Sequence, residues 1–486
     1  MIKAKRKFLL SICIFMILSL FFIQMTNAQS GDYQWTSPER LSSEDGMASQ
    51  PYMVSDQYGY VHMFWSESGS ADEGPVIRYS RFDGETWSLP NDIFITAPDA
   101  VVVFISPFVD SKGILHLIWS ENNTGPLMYS RAPANDAISA RNWQAPIPID
   151  VSSYWGKLVV DSKGVLHVLY SDYYGDVPGI YYVRSENGGN SWNSPLWLDP
   201  DIPAGQGPTV VNFGIDENDG LHALWHYIDD ATANGTWIRY SRSLDGGDTW
   251  TVPSTIDKAD ESADELRLPY PEFLVTGEQI HIIWAGNNNT NREYRYSANA
   301  GQTFTATTRI LGDLHGQALG GGLGVDSLGR VHYATQMRSP MGIYHAMWEN
   351  GSWSIPSLAY FIGNEEAAPG NIHAHNVRLA IRAGNQLVVG FTSAPNDPQW
   401  SLYVIQTTLQ DAPEISALPT PTPAPTSMPT PTPTVDTGIG ATTPINPEIV
   451  TQPTDVGQPS LGIIWGIIPA LAILSGMIIY RAFRKR

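Results

Sequence analysis

The residues of this chain best suited to chemistry are carboxylates with aromatic rings beside them, gathered in a few short segments. These are ESGSADEGP (67–75), DYYGDVPG (172–179), YIDDATANGTW (227–237), DKADESADELRLP (257–269) and IGNEEAAPGNIHAHN (362–376). Trp155, Tyr173, Tyr174, Trp237 and Trp400 lie in or near them. An aromatic face gives the apolar side of a sugar ring a flat partner, and carboxylates accept its hydroxyls. Two carboxylates about 5 Å apart, or farther, are also the apparatus of retaining or inverting glycoside hydrolysis. With so many acids the sequence does not select the pair, and the same composition describes ordinary solvated loops. The oxygen donors of 257–265 would suit calcium, the one cofactor in view. His373 and His375, with His315 or His345, make a weak case for a metal, and none is assigned. Cys13 is the only thiol.

The elements that must position these segments come from internal repetition. VSDQYGYVHMFWSES (54–68), VDSKGILHLIWSEN (109–122) and VDSKGVLHVLYSDY (160–173) are copies of one hairpin, and later copies extend to IRAGNQLVVGFTS (381–393). Each reads as a strand, a tight turn with a glycine, and a second strand. About a dozen residues on come stretches such as VIRYSRFDGETWSLP and WIRYSRSLDGGDTWTVP. These read as a third strand, a turn and a fourth strand opening with an aromatic. Four antiparallel strands per repeat make the blade of an all-β propeller. Inner hairpins begin near residues 51, 105, 157, 209, 270, 320 and 376, hence seven blades. Only six fourth strands follow them. YQWTSPERLS (33–42) matches the missing one, so the N-terminal strand is expected to complete the last blade and close the ring. The recurring His62, His116, His167, His222, His281 and His332 are read as blade packing, as are Arg78, Arg184, Arg239 and Arg295.

SLDGGDTW (243–250) carries the clearest motif, with degenerate copies SENGGNSW (185–192) and SANAGQTF (297–304). It matches the Asp-box, Ser-x-Asp-x-Gly-x-Thr-Trp, and over roughly residues 33 to 410 the chain resembles the sialidase-like (BNR repeat) propellers. Asp245 can accept from turn N–H groups, Gly247 can take a conformation other residues resist, Ser243 and Thr249 can close the hairpin, and Trp250 can bury its ring between blades. The resemblance implies that the box is structural and lies opposite the ligand face. It also implies a sialidase set of three arginines, a tyrosine nucleophile with a glutamate, and an aspartate acid/base. Arg267, Arg338 and Arg378, with Tyr270 and Glu272, are the residues that could supply it. The chain departs from the family in having seven blades instead of six, and SPERLS (37–42) stands where an Arg-Ile-Pro motif would be sought.

The two ends are legible separately. Residues 1–28 have the cations and apolar run of a signal peptide. The propeller is expected over 29–412, a Pro/Thr-rich stalk over 413–460 and a transmembrane helix over 461–480, whose twenty residues carry no charge. RAFRKR (481–486) places the C-terminus in the cytoplasm and the propeller outside. Four of the 28 cations lie in the leader and four in the tail, so the span between them is more acidic than the whole chain's −20. Nucleic acid is excluded as a partner on that ground. The expectation is a monomeric, single-pass cell-surface propeller that binds a glycan or an extracellular protein at its acidic loop face. A sialidase-like exo-glycosidase is the alternative.

Overall fold

The computed structural model describes residues 33–420 apart from 45, 69–73, 98–99, 151, 260–269, 287–290, 316–319, 339, 364–374 and 394–399. The expected leader, membrane helix, tail and nearly all of the stalk lie outside these residues. Among the described residues no helix is long and apolar enough to cross a membrane. The propeller lies within the first of two units, Met1–Pro419 and Thr420–Arg486.

Seven antiparallel sheets follow one another along the chain, each with at least four strands. Their inner strands are Tyr52–Ser55, Val102–Val109, Trp155–Val160, Gln206–Ile215, Glu272–Thr276, Gly321–Val325 and His375–Arg382, in blades 1 to 7. Each packs on the next, and that of blade 7 on that of blade 1, so the ring is closed. The closing strand is Glu39–Arg40, paired with Val404 and Tyr403 of blade 7 and extended by the bonds Thr36 N–H to Gln406 O and Leu41 N–H to Leu402 O. The N-terminal segment therefore stands where the repeat count required it.

The second strands bury nearly every residue, because each is covered by a blade on both faces. Their histidines sit in one recurring arrangement. In blades 1, 2 and 4, Nδ1 of His62, His116 and His222 accepts from the hydroxyl of Tyr79, Tyr129 or Tyr240 at 2.7–2.8 Å. Nε2 faces Asp56, Asp110 or Asp216 at 3.0–3.3 Å. A carboxylate only accepts, so Nε2 must carry the proton, and the neutral ring is left to accept at Nδ1. Burial holds these histidines below their ordinary pKa. The same aspartate caps the inner turn: Asp216 accepts from Asn218 N–H and Gly220 N–H at 2.8 and 2.7 Å. Blade 5 has no such acid, and buried His281 Nε2 has no partner.

The boxes are staples. Ser243 Oγ donates to Asp245 Oδ1 and accepts from Gly247 N–H, while Thr249 donates to Asp245 through both N–H and Oγ1–H. These bonds pull the Asp245 carboxyl down to about 2. Gly247 has φ of 89°, which only glycine takes freely. Trp250 lies 5.2 Å from the ring of Tyr182 in blade 3. Arg184, also from blade 3, donates to Gly246 O and Asp248. One expectation is corrected here. In blades 3 and 4 the aromatic does not open the fourth strand: Trp192 and Trp250 precede strands Leu196–Trp197 and Ser254–Lys258, whereas Trp353 of blade 6 lies in the strand Ser352–Trp353. Pro253 and Pro195 intervene, and proline has no N–H for the ladder.

Residues 413–418, expected as the start of the stalk, run back against the inner turns. Ser327 Oγ donates to Pro413 O, Ile415 N–H to Ala383 O and Leu418 N–H to Gln57 O. The chain leaves the ring on the turn side.

Candidate binding site at the mouth of the channel

Strand register defines the two ends of the ring. Val160 pairs with Leu166 beside the inner turn, and Leu166 pairs with Ser185, from which the 185–192 turn springs. Inner turns and boxes therefore share one end. At the other, Trp155 pairs with Ser171, and Asp172 with Gly179, bracketing the loop that carries Tyr173 and Tyr174. The box of Asp245 is thus remote from the end where the second-to-third-strand loops gather.

The register also exposes a set that the loop reading missed. The residues paired with the recurring second-strand histidine, or with its blade 7 counterpart Val388, are Val54, Phe108, Val159, Gly214, Leu274, Gly324 and Ala380. Two positions earlier stand Tyr52, Ser106, Lys157, Asn212, Glu272, Gly322 and Arg378, one from each blade. This belt lies toward the loop end. Two small members, Ser106 and Gly322, alternate with large ones and let side chains meet over them. Lys157 Nζ of blade 3 stands 6.0 Å from the Tyr52 ring of blade 1, and Arg378 Cζ of blade 7 stands 6.0 Å from the same ring.

The electrostatics of the belt are unusual for so acidic a chain. Arg378 is held by neutral groups: Val377 O at 2.9 Å, Gln50 Oε1 at 3.3 Å and Gly321 O at 3.5 Å. Neither Arg378 nor Lys157 forms an ion pair among the described residues. Burial, with Arg378 nearby, pushes the Lys157 ammonium down to about 8. Burial lifts the Glu272 carboxyl to about 7, against the opposing pull of Arg292 and Arg378. Its Oε2 is buried with no hydrogen-bond partner, while Oε1 accepts from Tyr333 Oη at 3.4 Å. Arg292 Nε donates to that hydroxyl at 3.3 Å. Near neutral pH the belt thus carries two cations and a carboxyl only partly ionised, a trap for an anion.

Of the arginines expected to act together, only Arg378 is placed. Arg267 and the side chain of Arg338 lie outside the described residues. Glu272 faces Tyr333, whereas Tyr270, at φ 35°, packs edge-on against His226 at 5.8 Å. Tyr173 and Tyr174 contact one another at 4.5 Å and cluster with Tyr154, and Tyr173 donates to Asp230. Trp155 stacks on Phe104 between blades 2 and 3. Trp237 lies under Lys258 at 4.7 Å, and Trp400 packs on His375 at 4.7 Å. His345 is taken up by His332 at 2.9 Å. His373 and most of the 257–265 segment lie outside the described residues. Among the described residues no three His, Cys, Asp or Glu side chains are grouped to hold a metal ion. Lys157, Tyr52 and Tyr333 lie in strands, where loop composition gives no sign of them. The signal available was their register: an Arg and a Lys at a repeat position otherwise neutral or acidic.

No protein-family model matches this sequence, and no curated protein matches it. Among solved structures, the chain is similar to a protein of unknown function from Dyadobacter fermentans, at 14% identity, 78% of this chain, 100% of that one and a TM-score of 0.49. It is also similar to the NanB sialidase of Streptococcus pneumoniae, at 13% identity, 79% of this chain, 72% of that one and 0.44. For the polysaccharide lyase Uly1 the values are 9%, 79%, 94% and 0.48.

Proposed function

We propose that this propeller is a binding module for an acidic saccharide, whose carboxylate is taken by Arg378 and Lys157 at the mouth of the channel. The observation that carries the reading is two cations with no ion-pair partner among the described residues, converging on Tyr52 in a chain of net charge −20. A guanidinium offers a carboxylate two parallel N–H donors, and the Tyr52 face offers a sugar ring a flat apolar partner. Tyr154, Tyr173, Tyr174 and Tyr270 form the surrounding rim, with Asp230 beside Tyr173. The expected leader, stalk and apolar segment complete a single-pass surface protein. Because the chain leaves the ring on the turn side, the binding mouth is the free end in this reading. The test is calorimetric titration of the full chain with methyl glucuronide, N-acetylneuraminic acid and neutral methyl glycosides. Arg378→Ala and Lys157→Ala are each expected to weaken acid-sugar binding by about tenfold or more. Equal affinity of wild type and both variants for every acidic sugar would refute it.

One observation favours a second reading, glycoside hydrolysis. A carboxyl held at about 7 with an unpartnered buried oxygen is suited to donate a proton to a leaving group. Turnover of a fluorogenic glycoside panel, abolished by Glu272→Gln, would establish it. No turnover leaves the binding module.

A further inference from the structure

One strand farther out, blade 3 differs from blades 1 and 4. In blade 1, Trp65 pairs across strands with Arg78, which is held by Asp92 at 3.1 Å and Glu67 at 3.7 Å. In blade 4, Trp225 pairs with Arg239, which is held by buried Asp199 at 3.0 Å; Trp225 Nε1 and Tyr227 Oη donate to the same carboxylate. In both blades a Trp–Arg–acid network fills this register position. Blade 3 has Tyr170 paired with Tyr181 there, and no arginine.

Tyr181 pairs in turn with Trp197, and the three rings form a ladder with centroid spacings of 5.6 and 6.4 Å and interplanar angles of 25° and 23°. Trp197 lies low on the sheet because residue 179 is glycine. A Cβ there would stand 2.6 Å from the indole Nε1. Trp197 is nonetheless 40% exposed. Tyr170, Tyr181, Ser152, Asp172, Asp176 and Val177 line a cleft of about 400 Å³, with the Tyr181 hydroxyl donating to Val177 O at 2.7 Å. Asp172 Oδ1 is fixed by Ser152 Oγ at 3.1 Å and Gly175 N–H at 2.8 Å. Among the described residues, its Oδ2 and the exposed carboxylate of Asp176 have no protein donor. The volume falls in the range of small-molecule sites.

We propose that this cleft is a second saccharide site, separate from the channel and selective for neutral sugars. A pyranose ring lies against Tyr181 in the cleft and reaches over exposed Trp197, the next ring of the ladder outside the cleft lining, while neighbouring hydroxyls donate to Asp172 and Asp176. Two carboxylates with no cation paired to either among the described residues repel an acidic sugar, so the cleft has the opposite charge preference to the channel. The proposal does not need the channel reading to hold.

The experiment is saturation-transfer NMR and calorimetry on the full chain in a non-sugar detergent. The probes are the methyl glycosides of glucose, galactose and mannose and the disaccharides cellobiose, lactose and mannobiose, with methyl glucuronide as the acidic control. At least one neutral probe is expected to bind, with affinity falling about tenfold on Trp197→Ala and on Asp176→Asn. Arg378→Ala should leave that binding unchanged. Trp197 is partly solvated, so its alanine variant should keep the wild-type melting profile. If no neutral probe binds at up to roughly 20 mM, the proposal is overturned. It is equally overturned if Trp197→Ala leaves neutral-sugar binding intact, or if Arg378→Ala removes it.

Discussion

Replacing Glu272 with glutamine probes the electrostatics of the channel belt directly. Burial lifts this carboxyl from 4.5 to about 7. An acid with a raised pKa holds its proton more tightly in the folded chain than in the unfolded one. Its contribution is therefore most favourable below about pH 4.5 and is lost progressively as pH rises to about 7. Integrated from pH 5 to pH 8, that shift amounts to roughly 2.5 kcal/mol of lost stability. The buried histidines titrate with the opposite sign: held below their ordinary pKa, they remove stability as pH falls below about 6.5. A wild-type profile mixes the two effects. The difference between wild type and Glu272→Gln isolates the first, because glutamine stays neutral throughout. Denaturant unfolding at pH 5 and pH 8 should show the glutamine variant gaining roughly 2.5 kcal/mol on wild type across that interval. A difference that stays flat to within about 0.5 kcal/mol would mean that water reaches the carboxylate freely, and the argument for a desolvated belt would fail.

The same belt sets a pH profile for ligand capture. Ionisation of Glu272 through about 7 and deprotonation of Lys157 through about 8 both oppose an anion, so affinity for methyl glucuronide should fall steadily from pH 6 to pH 9 in calorimetry. Removal of the turn acid in Asp216→Ala strands His222 Nε2–H and two backbone N–H groups, and should cost about 3 kcal/mol by chemical denaturation. Asp245→Ala removes bonds that are mostly solvent-exposed, so its cost should stay near 1 kcal/mol, with sugar binding unaltered. Gly247→Ala should be the harsher change in that box, about 3 kcal/mol by thermal melting. It forces φ of 89° on a residue with a Cβ, which would collide with the Tyr182 hydroxyl.

Much of the fold was readable because its signals are local. The hairpin copies run over a dozen residues each, with turn glycine, capping aspartate and alternating burial all in one window. Counting them yields the seven inner strands observed, and the unmatched YQWTSPERLS segment identifies the closing strand. The fourth strands of blades 3 and 4 begin a few residues later than the tryptophan suggests, because the proline that follows it cannot donate to the ladder. The site was harder to read. Aromatic and acidic loops attracted attention by composition, yet Trp155 turned out to be packing between blades and Tyr270 to lie against His226. The family resemblance puts Glu272 and Arg378 in one candidate set, but without Lys157 or Tyr52. Their common register with Lys157 and Tyr52 was hidden by blade 5, whose turn is shorter and lacks the aspartate, and by blade 7, where no histidine marks the second strand.

What the sequence determined by itself was the blade, because strand alternation, turn geometry and box staples depend on residues within about ten positions of one another. What only the tertiary structure decided was the belt. Its seven members are separated by some fifty residues each and touch nothing in common until the ring closes. Closure brings Arg378 beside Tyr52 and lets Lys157 reach across the small Ser106. Desolvation then acts on all of them together, shifting the proton affinities of Glu272 and Lys157 in ways that no single repeat specifies.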